Sequence, residues 1–109
     1  MEHFLKACRN SRDGFRALLG EKAFRQELLL LAVFLTAAAL KDGWSASAEL
    51  LPWGGVVLIT EALNTAVEKT VDLVTDQWHP LAKIAKDAGS FACGTALFVF
   101  FVVWFRTLF

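Results

Sequence analysis

The sequence predicts an all-α membrane protein: an N-terminal amphipathic surface helix, then three transmembrane helices, in a chain that forms a homo-oligomer. Three observations predict it. The 109 residues are 56% hydrophobic and their mean hydropathy is +0.48, yet 20% of them are charged. The apolar residues gather in three long runs, with the charges clustered around the turns between them. The chain is also short enough for residues 1–109 to form a single domain, with no second core.

The same composition excludes several classes. Net charge is zero and no basic block occurs, so nucleic-acid binding has no electrostatic support. Cys8 and Cys93 are far apart and form no CxxC pair; both read as free thiols, not as a disulfide or a zinc site. Residues 1–22 alternate charged and apolar positions without an uninterrupted apolar stretch, so no signal peptide is expected.

The first element is the surface helix, residues 1–20. Phe4, Leu5, Cys8, Phe15 and Leu18 gather on one side, and Lys6, Arg9, Arg12, Asp13 and Arg16 surround the other. Such a helix lies on a membrane with its basic face toward anionic headgroups. The first span covers residues 23–41. Its uncharged part, Leu28 to Leu40, is about 13 residues, against the roughly 20 of a full span, so Arg25, Gln26 and Glu27 sit at or just inside the interface, facing protein. The turn Lys41-Asp42-Gly43-Trp44-Ser45 follows. The second span covers residues 50–74 and starts near Pro52, because proline is tolerated in a first helical turn. Thr75 to Pro80 forms the next loop; a third helix begins near Leu81 and spans residues 84–108.

Nine of the basic residues, from Lys6 to Arg25 with Lys69, Lys83 and Lys86, fall on one side; Lys41 and Arg106 fall on the other. The positive-inside rule places the N-terminus and the 75–87 loop in the cytoplasm. Trp44, Trp53 and Trp104 then lie near the outer interface and Trp78 near the inner one, as an aromatic belt. Ala85, Gly89 and Cys93 recur every fourth residue, a row on which helix backbones approach closely in lipid. Three helices cannot enclose a polar site alone, hence the expected homo-oligomer.

Function centres on one stripe. The run Val56 to Glu68 opens apolar, yet carries Glu61, Asn64 and Glu68 at spacings of three and seven, which put all three on one helical face. Asp72 continues the stripe, although by itself it reads equally well as a solvated helix end. Ionisable groups at membrane depth are costly and mark ion, proton or substrate sites. Glu61 and Glu68 stand about 10 Å apart along the axis, too far to share one small cation. Glu68 therefore needs a carboxylate from elsewhere, and Glu21 is the obvious supplier. Mg²⁺ suits such a pair, since it takes one or two carboxylates with substrate phosphates and water. Glu61 is left deeper, in apolar surroundings that suit a general base, and Asn64 can orient either neighbour. Asp76, His79, Lys83, Lys86 and Asp87 form a dense charged group after the second span; lysines there can neutralise phosphate charge. Read alone, His79 is more simply an interfacial residue and Lys86-Asp87 a surface pair. No GxxxxGK[ST] loop is present, so any nucleotide site differs from those of soluble kinases.

At three blocks the chain resembles the bacterial integral-membrane diacylglycerol kinase family: Glu21-Lys-Ala-Phe-Arg-Gln-Glu27, Glu61-Ala-Leu-Asn-Thr-Ala-Val-Glu68 and Ala85-Lys-Asp-Ala-Gly-Ser90. With the flanking spans the likeness covers nearly the whole chain. The resemblance implies a homotrimeric lipid kinase of the bacterial cytoplasmic membrane that phosphorylates diacylglycerol to phosphatidic acid with ATP and Mg²⁺. It implies Glu61 as catalytic base and Glu21 and Glu68 as Mg²⁺ ligands that also contact ATP. Asn64, Gln77, Trp78, His79, Lys86 and Asp87 then belong to the nucleotide site. Arg25, Gln26, Glu27 and Ser90, with Glu61, match positions near the lipid acceptor. The stretch from Gly14 to Glu21 is one residue shorter than the commonest family pattern, so no role is carried into the N-terminal helix.

Undecaprenol kinases share this core but carry Glu-x-Asn-Phe-x-x-His in the first block, where this chain has Glu21-x-Ala-Phe-Arg-Gln-Glu27; the difference favours diacylglycerol. A small proton-coupled multidrug exporter is the alternative from another class. It needs about four spans and few other charges, and the three spans and the Lys83, Lys86, Asp87 group argue against it.

Overall fold

A computed structural model describes all 109 residues as four helices and no strand: α1 (Glu2–Leu19), α2 (Lys22–Asp42), α3 (Trp44–Val74) and α4 (Pro80–Leu108). Helices α2, α3 and α4 are each long and apolar enough to cross a membrane. Only 13 of the 109 residues are buried, so most of the apolar surface of these three helices faces outward. A lone chain in water could not leave so much apolar surface uncovered; lipid, or copies of the chain, must cover it.

Helix α1 runs unbroken through Gly14 and is exposed along its length except at Leu18. It touches the bundle through the edge-to-face pair Phe15–Phe24, with ring centroids 6.0 Å apart. At its end the Gly20 N–H donates to Ala17 O, and the Arg25 guanidinium reaches back to donate to Leu19 O at 2.8 Å. This satisfies a terminal carbonyl that has no partner within its own helix.

A single residue joins α2 to α3. Gly43 adopts φ 93°, the one positive φ in the chain, a conformation that L side chains resist. Helix α3 then begins at Trp44, not near Pro52 as expected; Pro52 lies inside it. Proline removes its own N–H from the helical ladder and its ring crowds the carbonyl four residues earlier, a disturbance tolerated in membrane helices where packing holds the turns. Here Ala46 and Leu50, both buried, fix the turns ahead of the proline. Helix α4 begins at Pro80, with His79 as its cap: the imidazole Nδ1 accepts from the Leu81 N–H at 3.1 Å.

Helix α3 is central and packs along both α2 and α4, whereas α2 and α4 meet over a short stretch. The core is Leu31 and Ala38 from α2, Ala46, Leu50 and Val57 from α3, and Ala96, Phe100 and Leu108 from α4. Gly54 faces Leu31 and Phe100 across the helix contacts. Where α2 meets α4, Phe34 packs edge-on against Trp104 at 4.9 Å, and the indole N–H donates to Phe34 O at 3.0 Å. Trp104, expected as part of an interfacial belt, is thus also a tie between two helices. Lys41 closes this end of the bundle, donating to Leu108 O at 2.7 Å and standing 4.7 Å over the Phe109 ring.

At 1.5 Å per residue, α3 and α4 are about 46 and 43 Å long, well beyond the ~30 Å hydrocarbon core. The surplus carries Glu68, Lys69 and Asp72 on α3 and Lys83, Lys86 and Asp87 on α4. The two charged ends lie side by side, and the candidate site is there.

Candidate functional site

Glu61 and Asn64 are the only buried polar residues in the chain, 6% and 8% exposed. Their spacing on α3 turns both toward neighbouring helices, and three contacts define their surroundings. The Glu27 carboxyl of α2 comes within hydrogen-bonding reach of the Glu61 carboxyl. The Cys93 thiol of α4 and the Thr60 hydroxyl border the same spot. Asn64 Nδ2 donates to Glu68 Oε1 at 3.2 Å.

Two acceptors here have no hydrogen-bond partner although they are buried: Glu27 Oε2 and Asn64 Oδ1. Orphaned buried acceptors are costly and rare. Two carboxylates in contact repel unless they share a proton or a donor sits between them. The arrangement can take up a proton or the hydroxyl of a ligand.

Gly89 of α4 sits directly against Asn64. A Cβ at Gly89 would overlap Asn64 Oδ1 and stand 3.1 Å from Cγ, so glycine is what lets α4 approach. The Ala85, Gly89, Cys93 row therefore does more than pack helices: two of its members shape the surroundings of Glu61 and Asn64. The fourfold spacing was the signal for this; which polar group the row met was not visible in sequence.

Toward the charged end, ion pairs tie the helices together. Lys69 of α3 reaches Glu21 at 3.0 Å, which brings the start of α2 beside the turn of α3 that carries Glu68. Lys86 of α4 pairs with Asp72 of α3 at 2.7 Å, and Lys83 with Asp87 at 2.6 Å within α4. The α3–α4 connection and the first turns of α4 border an open surface cavity of about 280 Å³, lined by Asp76, Gln77, Trp78, His79, Lys83, Lys86 and Asp87 among others. Gln77, Trp78, His79, Lys86 and Asp87 thus share one cavity. Arg25 is engaged with the end of α1, and Gln26 and Ser90 are exposed; within one chain nothing joins these three to Glu61.

No cluster of three or more acidic, imidazole or thiol groups occurs in the chain. Glu21 and Glu68 both lie near Lys69, and a magnesium ion held there would complete its shell with phosphate oxygens and water.

Comparison with known proteins decides the family. The family model for prokaryotic diacylglycerol kinase matches residues 9–108. The chain belongs to the prokaryotic diacylglycerol kinase family. A diacylglycerol kinase of Pseudomonas aeruginosa is 42% identical over 95% of this chain and 86% of its own. One of Helicobacter pylori is 35% identical over 98% and 85%, and one of Escherichia coli 35% identical over 92% and 84%. The chain is thus a multi-pass membrane protein from a family of lipid kinases.

Proposed function

We propose that this protein transfers the γ-phosphoryl group of ATP to the free hydroxyl of diacylglycerol, giving phosphatidic acid, in a Mg²⁺-dependent reaction at the cytoplasmic face of the bacterial inner membrane. The observation that carries this reading is the buried Glu27–Glu61 contact with its orphaned acceptor, beside a charged cavity at the end of the same helices. A lipid hydroxyl supplies the missing donor, and the cavity supplies cationic side chains for a nucleotide.

In this reading Glu61 accepts the proton of the lipid hydroxyl as its oxygen bonds to the γ-phosphorus. The bond to the β–γ bridging oxygen breaks and ADP leaves. Glu27 borders the acceptor beside Glu61, with Arg25, Gln26 and Ser90 nearer the lipid headgroup region. Asn64 fixes Glu68, and Glu21 with Glu68 would hold Mg²⁺. When bound, that ion would neutralise phosphate charge. Lys86 exchanges Asp72 for phosphate oxygens, while Gln77, Trp78, His79 and Asp87 line the nucleotide cavity.

The resemblance implies a homotrimer with active sites between subunits, in keeping with Arg25, Gln26 and Ser90 having no link to Glu61 within one chain. The distribution of lysine and arginine supports a cytoplasmic N-terminus.

The test is transfer from labelled ATP by purified protein in detergent, with diacylglycerol and a polyprenol side by side. Labelled phosphatidic acid is the expected product. Transfer to the polyprenol alone would keep the chemistry and overturn the substrate. No transfer to either, with folded protein and Mg²⁺ present, would overturn the kinase reading.

A further inference from the structure

Glu21 occupies the N-cap position of α2, yet its side chain makes no capping hydrogen bond. Its carboxylate turns instead to the Lys69 ammonium at 3.0 Å. Lys69 stands among three carboxylates, with Glu21 nearest and Asp72 and Glu68 beyond. The other two are committed elsewhere: Asp72 to Lys86 at 2.7 Å and Glu68 to Asn64 at 3.2 Å. Glu21 is therefore the carboxylate that holds Lys69.

Resting on the magnesium reading above, we infer that Lys69 is a resident counter-cation: it holds Glu21 while no metal is bound and gives way to the divalent ion. The physical requirements are met. Lys69 is exposed and Glu21 partly so, with side chains 68% and 36% accessible, so solvent reaches the pair and screens it. A lysine ammonium is a compact point charge on a flexible stem, so it can leave Glu21 without moving either helix. Lys69 thus competes with the metal for one ligand.

The test is binding of Mn²⁺ alone, followed by electron paramagnetic resonance, to the nucleotide-free full-length protein in detergent. Lys69→Met is expected to bind Mn²⁺ roughly two- to fivefold more tightly, and Lys69→Arg to match wild type. In a Glu21→Gln background the Lys69→Met gain should vanish, because its basis is competition for that carboxylate. Unchanged or weaker binding in Lys69→Met, or a gain that persists with Glu21→Gln, would overturn the inference. The two readings fail differently. If Glu21→Gln weakens Mn²⁺ binding but Lys69→Met has no effect, the inference alone falls. If neither Glu21→Gln nor Glu68→Gln alters Mn²⁺ binding, the metal assignment falls and takes the inference with it.

Discussion

Gly89 of α4 lies so close to Asn64 of α3 that no side chain fits between them: a Cβ there would overlap Asn64 Oδ1. The contact couples helix packing to the site, because the same Asn64 side chain donates to Glu68. Gly89→Ala forces Asn64 to turn away and breaks that bond. Overpacking of this kind costs about 1–3 kcal/mol. The expected outcome is a modestly lower unfolding temperature in detergent and a loss of phosphate transfer well beyond it, roughly tenfold or more. Normal transfer by a folded Gly89→Ala variant would show that Asn64 has no part in the reaction.

Asn64→Ala tests the same bond without disturbing α4. Glu68 then loses its donor, an interaction worth about 0.5–1.5 kcal/mol, so the KM for Mg²⁺–ATP should rise roughly three- to tenfold. Asn64→Asp should be worse, since it sets a like charge against Glu68. Steady-state kinetics at varied nucleotide concentration, with lipid saturating, separates the cases.

His79 has a structural task that its neighbours in the cavity lack. Its Nδ1 caps α4, so only Nε2 remains to meet a ligand. Loss of an N-cap costs about 1 kcal/mol. His79→Asn can still cap the helix, whereas His79→Ala cannot. His79→Ala should therefore lower the unfolding temperature while His79→Asn keeps it. Any effect the two share on the KM for ATP reports the nucleotide contact.

The opposite end of the bundle should be separable from chemistry. Trp104→Phe removes the indole donor to Phe34 O and keeps an aromatic ring against Phe34. The expected cost is about 0.5–1.5 kcal/mol of stability with kcat unchanged, measured by thermal unfolding and by transfer at saturating substrates.

The spans and the Glu61 stripe were legible because they depend on local order. Hydropathy marks the apolar runs, and the helical period alone puts Glu61, Asn64 and Glu68 on one face. The start of α3 was misplaced because proline was read as an onset signal, whereas Ala46 and Leu50 are buried and carry the helix past Pro52. Chemistry alone paired Glu21 with Glu68, one carboxylate needing another; in the structure the Glu21 carboxylate meets Lys69, the next residue along α3. What sequence did not give depends on how helices face each other. The Glu27–Glu61 contact, the Asp72–Lys86 and Glu21–Lys69 pairs and the seating of Asn64 on Gly89 join positions far apart in the chain. Arg25 matched a lipid-site motif, but its guanidinium is occupied with the end of α1.

The account turns on Glu61 as the group that takes the acceptor's proton. The most direct measurement is kcat for diacylglycerol phosphorylation by Glu61→Gln, with Mg²⁺–ATP affinity measured on the same preparation. Glutamine keeps the shape and cannot accept the proton. The account predicts a fall in kcat of about 10²–10⁴ with nucleotide affinity unchanged. A kcat within a few-fold of wild type, in a variant that binds nucleotide normally, would contradict it.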